Sequence, residues 1–216
     1  MEQFRCLMKR LLLLTFSFVL TIPVFGQQIT IDDDGVVRCK DVSIGTKQTI
    51  LGDEYEVVDR NLLIQRRKEG SDLTKVCVSN VTDMSTLFIS DFNQPIGNWD
   101  VSSVENFDSI FRFSPFNKDI SDWDVSSVTN MRDMFTRTPF NNYIGDWDVS
   151  SVSDMRYMFS STPFNQDIGD WDVTSVQSFD RMFYNSSFNQ DISNWCVPYI
   201  TSAPGEFSTS SPLTLE

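Results

Sequence analysis

Trp99, Trp123, Trp147, Trp171 and Trp195 recur at a constant spacing of 24 residues, and they are all the tryptophans in the chain. Around them one phrase repeats: FNKDISDWDVSSVTNMRDMF at 116–135, FNNYIGDWDVSSVSDMRYMF at 140–159 and FNQDIGDWDVTSVQSFDRMF at 164–183. Self-similarity at a short fixed period marks an array of units that cannot bury their apolar face alone and must stack. Such arrays characteristically offer an extended binding surface.

The units align on their apolar positions. Leu73-Val76-Val78-Val81 is the first rung, Ile96-Trp99-Val101-Val104 the second and Ile192-Trp195-Val197-Ile200 the last; the first step is 23 residues and each later one 24. The x-x-Trp-x-Val spacing has period 2 and predicts a short strand that stacks in parallel with its copies. Val128, Met131, Met134 and Phe135 then fall on one helical face, with Ser127 and Asn130 as a weak capping pair and Thr138-Pro139 as the stop. Phe116, Phe140, Phe164 and Phe188 bring the chain back to the next rung. The expected fold is an α/β repeat solenoid, leucine-rich-repeat-like, with a parallel strand plus a short helix per 24-residue unit. The expected organisation is a signal peptide (1–26), a small N-terminal α+β cap (27–72), six rungs (73–207) and a polar C-terminal tail (208–216). In the cap, Ile29 to Ile31 and Glu54 to Val58 read as strands, and Asp59 caps a helix from Arg60 to Glu69 that Gly70 ends.

Arg5, Lys9 and Arg10 followed by the apolar run Leu11 to Val24 and the small residues around Gly26 read as a secretory signal. The run is about 14 residues, short for a bilayer span. Its removal carries the net charge from −13 to about −15, because three basic residues and one acidic residue leave with it. So acidic a chain lacks the basic footprint of a nucleic-acid binder. It contains no histidine, which excludes Ser-His-Asp and Cys-His catalysis and the commonest zinc sites. Three cysteines remain after cleavage. Cys77 and Cys196 stand five rungs apart, roughly 20 Å or more at strand spacing, beyond disulfide reach; Cys39–Cys77 is the expected pair.

Polar residues also form columns. Asp100, Asp124, Asp148 and Asp172 follow each tryptophan; Asn98, Asp122, Asp146, Asp170 and Asn194 precede it. Close carboxylates repel, so something must compensate. The plain reading is an Asx turn in which each aspartate accepts from the backbone at Ser126-Ser127 and its equivalents. The sharper readings are a row of weak calcium sites at Asp100, Asp124, Asp148 and Asp172, or an acidic strip facing a partner through Asp122, Asp146 and Asp170. A glycosidase-like carboxylate pair is a distant third, since a catalytic pair should not recur at every rung. Asn93, Asn117, Asn141, Asn165 and Asn189 read as an amide ladder satisfying turn backbone. The positions that vary between repeats, Arg112, Arg132, Arg137, Arg156, Arg181, Lys118 and Tyr143, are solvent-facing and the place where recognition could be written.

The FNxDIxxWDVSSVxxMxxMF unit resembles the repeat of BspA-like leucine-rich-repeat surface proteins, the variant catalogued as a domain of unknown function in mycoplasma lipoprotein-like proteins. The resemblance covers about residues 73–207, and 35–76 is similar to the segment that precedes such arrays. It implies an exported, non-enzymatic role in adhesion or recognition, with an extracellular protein or polysaccharide as partner and no cofactor. A structural surface or matrix element without a specific ligand is the alternative. Family members carry a further tail cysteine after the Trp195-Cys196 position; its absence here leaves either a free Cys196 or a shortened reading frame.

Overall fold

The computed structural model describes residues 28–213; the candidate signal peptide and the final three residues lie outside the described residues. The N-terminal segment builds two small sheets and one helix. Strand β1 (Thr30–Ile31) pairs antiparallel with β2 (Val37–Arg38). Strand β3 (Lys47–Ile50) forms a hairpin with β4 (Asp53–Val57), turning at Leu51-Gly52, both with positive φ (53° and 95°). Glycine takes this conformation without the steric cost a Cβ would bring. The far edge of β4 pairs in parallel with β5 (Val76–Cys77). Between them runs α1 (Arg60–Lys68), opened by Asp59, whose carboxylate accepts from the Leu62 N–H at 2.8 Å, and followed by Gly70 at φ 71°. Arg66, Arg67 and Lys68 occupy its last turn, where the helix dipole favours cations.

Ile29, Val37, Val42, Tyr55 and Val57 bury one side of this cap around the Cys39–Cys77 disulfide, whose Cα atoms are 6.1 Å apart. Cys196 is free and exposed. The cap joins the repeats where Val37 bridges in parallel to Trp99 and its N–H donates to Asn98 at 2.9 Å.

From residue 78 to 213 the chain is built from turns, not from the strand and short helix that the apolar spacing predicts. Along the Ile-x-x-Trp-x-Val stretch, Trp123 N–H closes a turn on Ile120 and Val128 N–H closes one on Val125. Over the segment expected to be helical, the amides alternate. Met134, Thr136 and Thr138 close three-residue turns inside the rung, on Met131, Asp133 and Phe135. Met131, Asp133, Phe135 and Arg137 instead donate outward, to the carbonyls of Asp154, Arg156, Met158 and Ser160 in the next rung, at 2.9 to 3.0 Å. A helix would spend those four N–H groups on itself. Here each finds a partner one repeat away, so the backbone is fully satisfied without one. The alternation needs left-handed residues: Asp133 (φ 55°) and Arg137 (φ 56°), and their equivalents Ser109, Phe113, Tyr157, Ser161, Arg181 and Asn185. Each costs about 1–2 kcal/mol, offset by the bonds made to the neighbouring rung. Parallel bridges mark the register, running Asp83–Asn106–Asn130–Asp154–Ser178 in steps of one repeat.

Side chains lock the same register. Each indole N–H reaches back to the previous rung: Trp123 Nε1 donates to Ile96, Trp147 to Ile120, Trp171 to Ile144 and Trp195 to Ile168, at 3.0 to 3.2 Å. Two phenylalanines pair face to face within a rung, Phe135 with Phe140 at 4.0 Å and Phe159 with Phe164 at 3.9 Å. Each also stacks on its copy in the next rung, Phe135 on Phe159 at 5.7 Å and Phe140 on Phe164 at 6.3 Å. These spines, with the isoleucine, valine and methionine columns, form one continuous core.

The ends are treated differently. At the first rung, the carbonyls of Asp83, Ser85 and Ile89 occupy the edge that every later rung pairs with a preceding one. Arginines of α1 close it: Arg60 donates to Asp83 O (3.0 Å) and Ser85 O (2.8 Å), and Arg67 to Ile89 O (2.8 Å). At the far end the close of the expected repeat stretch (to 207) and the start of the expected polar tail (from 208) together add another ladder row. Arg181, Phe183 and Asn185 donate to Gly205, Phe207 and Thr209 at 2.8 to 2.9 Å, and Ser211 Oγ donates to Phe188 O. Trp195 is only partly buried there, beside a cavity of about 610 Å³ lined in part by Ile192, Ile200 and Phe207. No helix among the described residues is long and apolar enough to cross a membrane.

Candidate functional site

Three columns of Asx turns run along the stack, and only one was identifiable from its place beside tryptophan. Asp124 Oδ1 accepts from the Ser126 N–H at 3.1 Å and its hydroxyl at 2.6 Å. Asp148 takes the Ser150 N–H, and Asp172 both donors of Thr174. Asp100 does the same with Ser102 and also faces Arg38 Nη1 at 3.3 Å. The residue supplying the donor is two positions on, so Ser127 is not involved. A second column, Asp119, Asp167 and Asp191, receives the N–H of Ser121, Gly169 and Ser193. The third is Asn106, Asn130 and Asp154, which receive the N–H of Asp108, Arg132 and Arg156; Asn130 thus opens a turn, not a helix. For the first two columns the sequence signal was available as Asp recurring with Ser, Thr or Gly two residues later; the third, followed by Asp108, Arg132 and Arg156, carries no such signal.

These bonds hold several carboxyls below the ordinary carboxylate range. For Asp119 and Asp191 the main cause is the backbone N–H of the following serine, joined by its hydroxyl; for Asp172 it is the Thr174 hydroxyl, then its N–H. Burial pushes Asp154 upward, but the Arg156 side chain and N–H outweigh it and the carboxyl ends below its usual value. A depressed folded-state pKa contributes stability above the unfolded carboxylate pKa, and that contribution disappears as the pH falls through the folded value. Each carboxylate in these turns already has its donors, so a cation is not required to relieve the column. Among the described residues no group of three or more His, Cys, Asp or Glu side chains converges as a metal site.

The asparagine column is a ladder between rungs. Asn117 Oδ1 accepts the Asn141 N–H at 3.1 Å, Asn141 the Asn165 N–H at 2.9 Å, and Asn165 the Asn189 N–H at 2.8 Å. Asn142, Gln166 and Gln190 reinforce it by donating to the same oxygens.

The candidate binding residues divide into two sets. Asp122, Asp146 and Asp170 lie exposed in the tryptophan turns, and Asp146 accepts from the Tyr143 hydroxyl at 3.0 Å. Arg132, Arg156 and Arg181 belong to the hydrogen-bonded ladder segment, and among the described residues no ion pair joins them to the first set. Arg132 and Arg156 occupy the same position in adjacent rungs. Arg156 grips Asp154, while Arg132 lies 3.4 Å from Asp133. Arg181 pairs with Glu206 and donates to the Tyr157 hydroxyl at 2.8 Å. Phe113, missed by sequence reasoning because it replaces an otherwise polar position, is 42% exposed between two guanidinium groups. Arg112 lies 4.7 Å and Arg137 5.4 Å from its ring centre. Register alone brings Arg137 there, one repeat on from Phe113.

The chain belongs to the family described as Mycoplasma protein of unknown function, DUF285, whose sequence model matches residues 60–139 and again 113–214. The two matches together span the α1 helix and the stacked units. No curated protein and no solved structure shows a significant match to the chain.

Proposed function

We propose that this protein is an exported repeat solenoid of the BspA-like leucine-rich-repeat kind that acts at the cell surface or outside the cell. It binds an extracellular protein or polysaccharide and catalyses nothing. The observation that carries this reading is the contrast between constant and variable positions. The Asx, asparagine, tryptophan and phenylalanine columns are the same in nearly every rung and hold the frame. The non-repeated arginines, with Phe113 and Tyr157, gather on one hydrogen-bonded segment of it, while Lys118 and Tyr143 vary elsewhere. A rigid frame displaying variable side chains suits recognition, because little order remains to be imposed on binding. The absence of histidine and the repetition of every carboxylate pair favour a binding role over a catalytic one. The competing reading, a structural surface element without a ligand, draws on the uniformity of the turn columns.

The test is a binding screen of residues 27–216 against immobilised extracellular-matrix proteins and polysaccharides, with calcium and with chelator. Saturable binding to a restricted set of ligands, equal in both conditions, is the expected result. Binding to nothing would favour the structural element. Binding that appears only with calcium, with several ions per chain at micromolar affinity by calorimetry, would make the aspartate columns the working site instead.

A further inference from the structure

Of the six basic residues beyond Cys77, five (Arg112, Arg132, Arg137, Arg156 and Arg181) lie in the ladder segment, and only Lys118 lies elsewhere. The same segment carries Asp108, Asp133, Asp154 and Asp180, so it stands close to neutral in a chain of net charge −13. Its centre is under-neutralised. Arg112 and Arg132 share Asp133, at 3.7 and 3.4 Å, and that buried carboxylate also accepts from the Thr136 hydroxyl at 3.0 Å. Asp108 stands one rung before Arg132, but its carboxylate accepts from Ser109. Arg137 is exposed, and among the described residues no carboxylate lies within 4.0 Å of it. The Nε of Arg112 is buried and donates to no acceptor. Both guanidinium groups are held against Phe113. A guanidinium packed on a ring keeps its N–H edge free, and that edge matches a carboxylate or sulfate in a two-pronged hydrogen bond.

Resting on the recognition reading above, we infer that the Arg112–Phe113–Arg137 cluster is an anion-binding subsite, and that its ligand is an anionic polysaccharide running along the stack. The row supports a linear polyanion over a single anion. Arg132 and Arg156 continue it at the rung spacing, about 4.8 Å, and Arg181 lies beyond with Tyr157 beneath its guanidinium at 5.6 Å. A polysaccharide presents carboxylate or sulfate groups at fixed intervals on a stiff backbone, so successive arginines are engaged without ordering a flexible chain.

The experiment measures binding of residues 27–216 to polygalacturonate, a sulfated glycosaminoglycan, neutral dextran and poly-glutamate, at low and at physiological salt. Binding to either anionic polysaccharide and not to dextran is expected, weakening as salt rises; which of the two binds distinguishes carboxylate from sulfate recognition. The double variant R112Q/R137Q should lose affinity by about tenfold or more, as expected for removing charge-assisted hydrogen bonds. Arg137→Lys, which keeps the charge and loses the fork, should also weaken binding. D122N/D146N should not. If the double variant is less well folded, the exposed Arg137→Gln alone decides. Undiminished binding by these arginine variants, equal binding to poly-glutamate, or no binding to either anionic polysaccharide would overturn the inference. Saturable binding to a matrix protein without polysaccharide binding would overturn it while leaving the recognition reading intact.

Discussion

Trp147→Ala is expected to lower stability by about 3–5 kcal/mol, the range for emptying an aromatic site in a packed core. Trp147 is 4% exposed, lies in the middle of the stack, and ties two rungs together through its indole bond to Ile120. Its removal leaves a cavity and takes from the Ile120 carbonyl one of its two donors, leaving the Trp123 N–H. Because each unit is stabilised by its neighbours, the loss should spread to the adjacent rungs. Asp148→Asn is the comparison: asparagine keeps the side-chain oxygen that accepts from Ser150, so its cost should stay within about 0.5 kcal/mol. Urea unfolding of the two variants checks this, and coincident midpoints would contradict it.

Replacing Cys39 and Cys77 by serine is the second large change, expected to cost about 3–4 kcal/mol for a loop of this length in the chain-entropy account. The two residues are 38 apart in sequence and fully buried, and the bond anchors the segment after β2 to β5 where the cap meets the first rung. Its loss loosens the cluster of Ile29, Val37, Val42 and Tyr55 that packs around it beside the first rung. Unfolding should then begin at the N-terminal end. Thiol titration of the oxidised 27–216 protein should find one reactive group, Cys196, and the C39S/C77S variant should melt earlier with its first changes in residues 28–90. Three titratable thiols, or a variant as stable as the parent, would argue against this role.

How much of this was legible in the sequence depended on whether the determining partner was local. Asp59 and Gly70 bracket α1 by their own chemistry, and the structure has the helix at Arg60–Lys68. The repeat register was legible because tryptophan marks it. The conformation within a rung was not. Apolar residues three apart, as in Val128, Met131 and Met134, fit a helical face and a chain of turns equally well. What separates them is the destination of the Met131, Asp133 and Phe135 N–H groups, and that lies 23 residues away. Nor does Asp133 or Arg137 announce a left-handed backbone as a glycine would. In the candidate site, variability singled out the arginines, but Phe113 became visible only when the register set Arg137 beside it.

The ladder segment is hydrogen-bonded between rungs and so fixes the frame on which the variable residues are displayed. The most direct measurement is of NMR scalar couplings across hydrogen bonds in the labelled 27–216 protein. Couplings are expected from Met131 N–H to the Asp154 carbonyl, from Asp133 to Arg156 and from Phe135 to Met158. A coupling from Phe135 N–H to the Met131 carbonyl, the helical pattern, with none reaching the next rung, would contradict it.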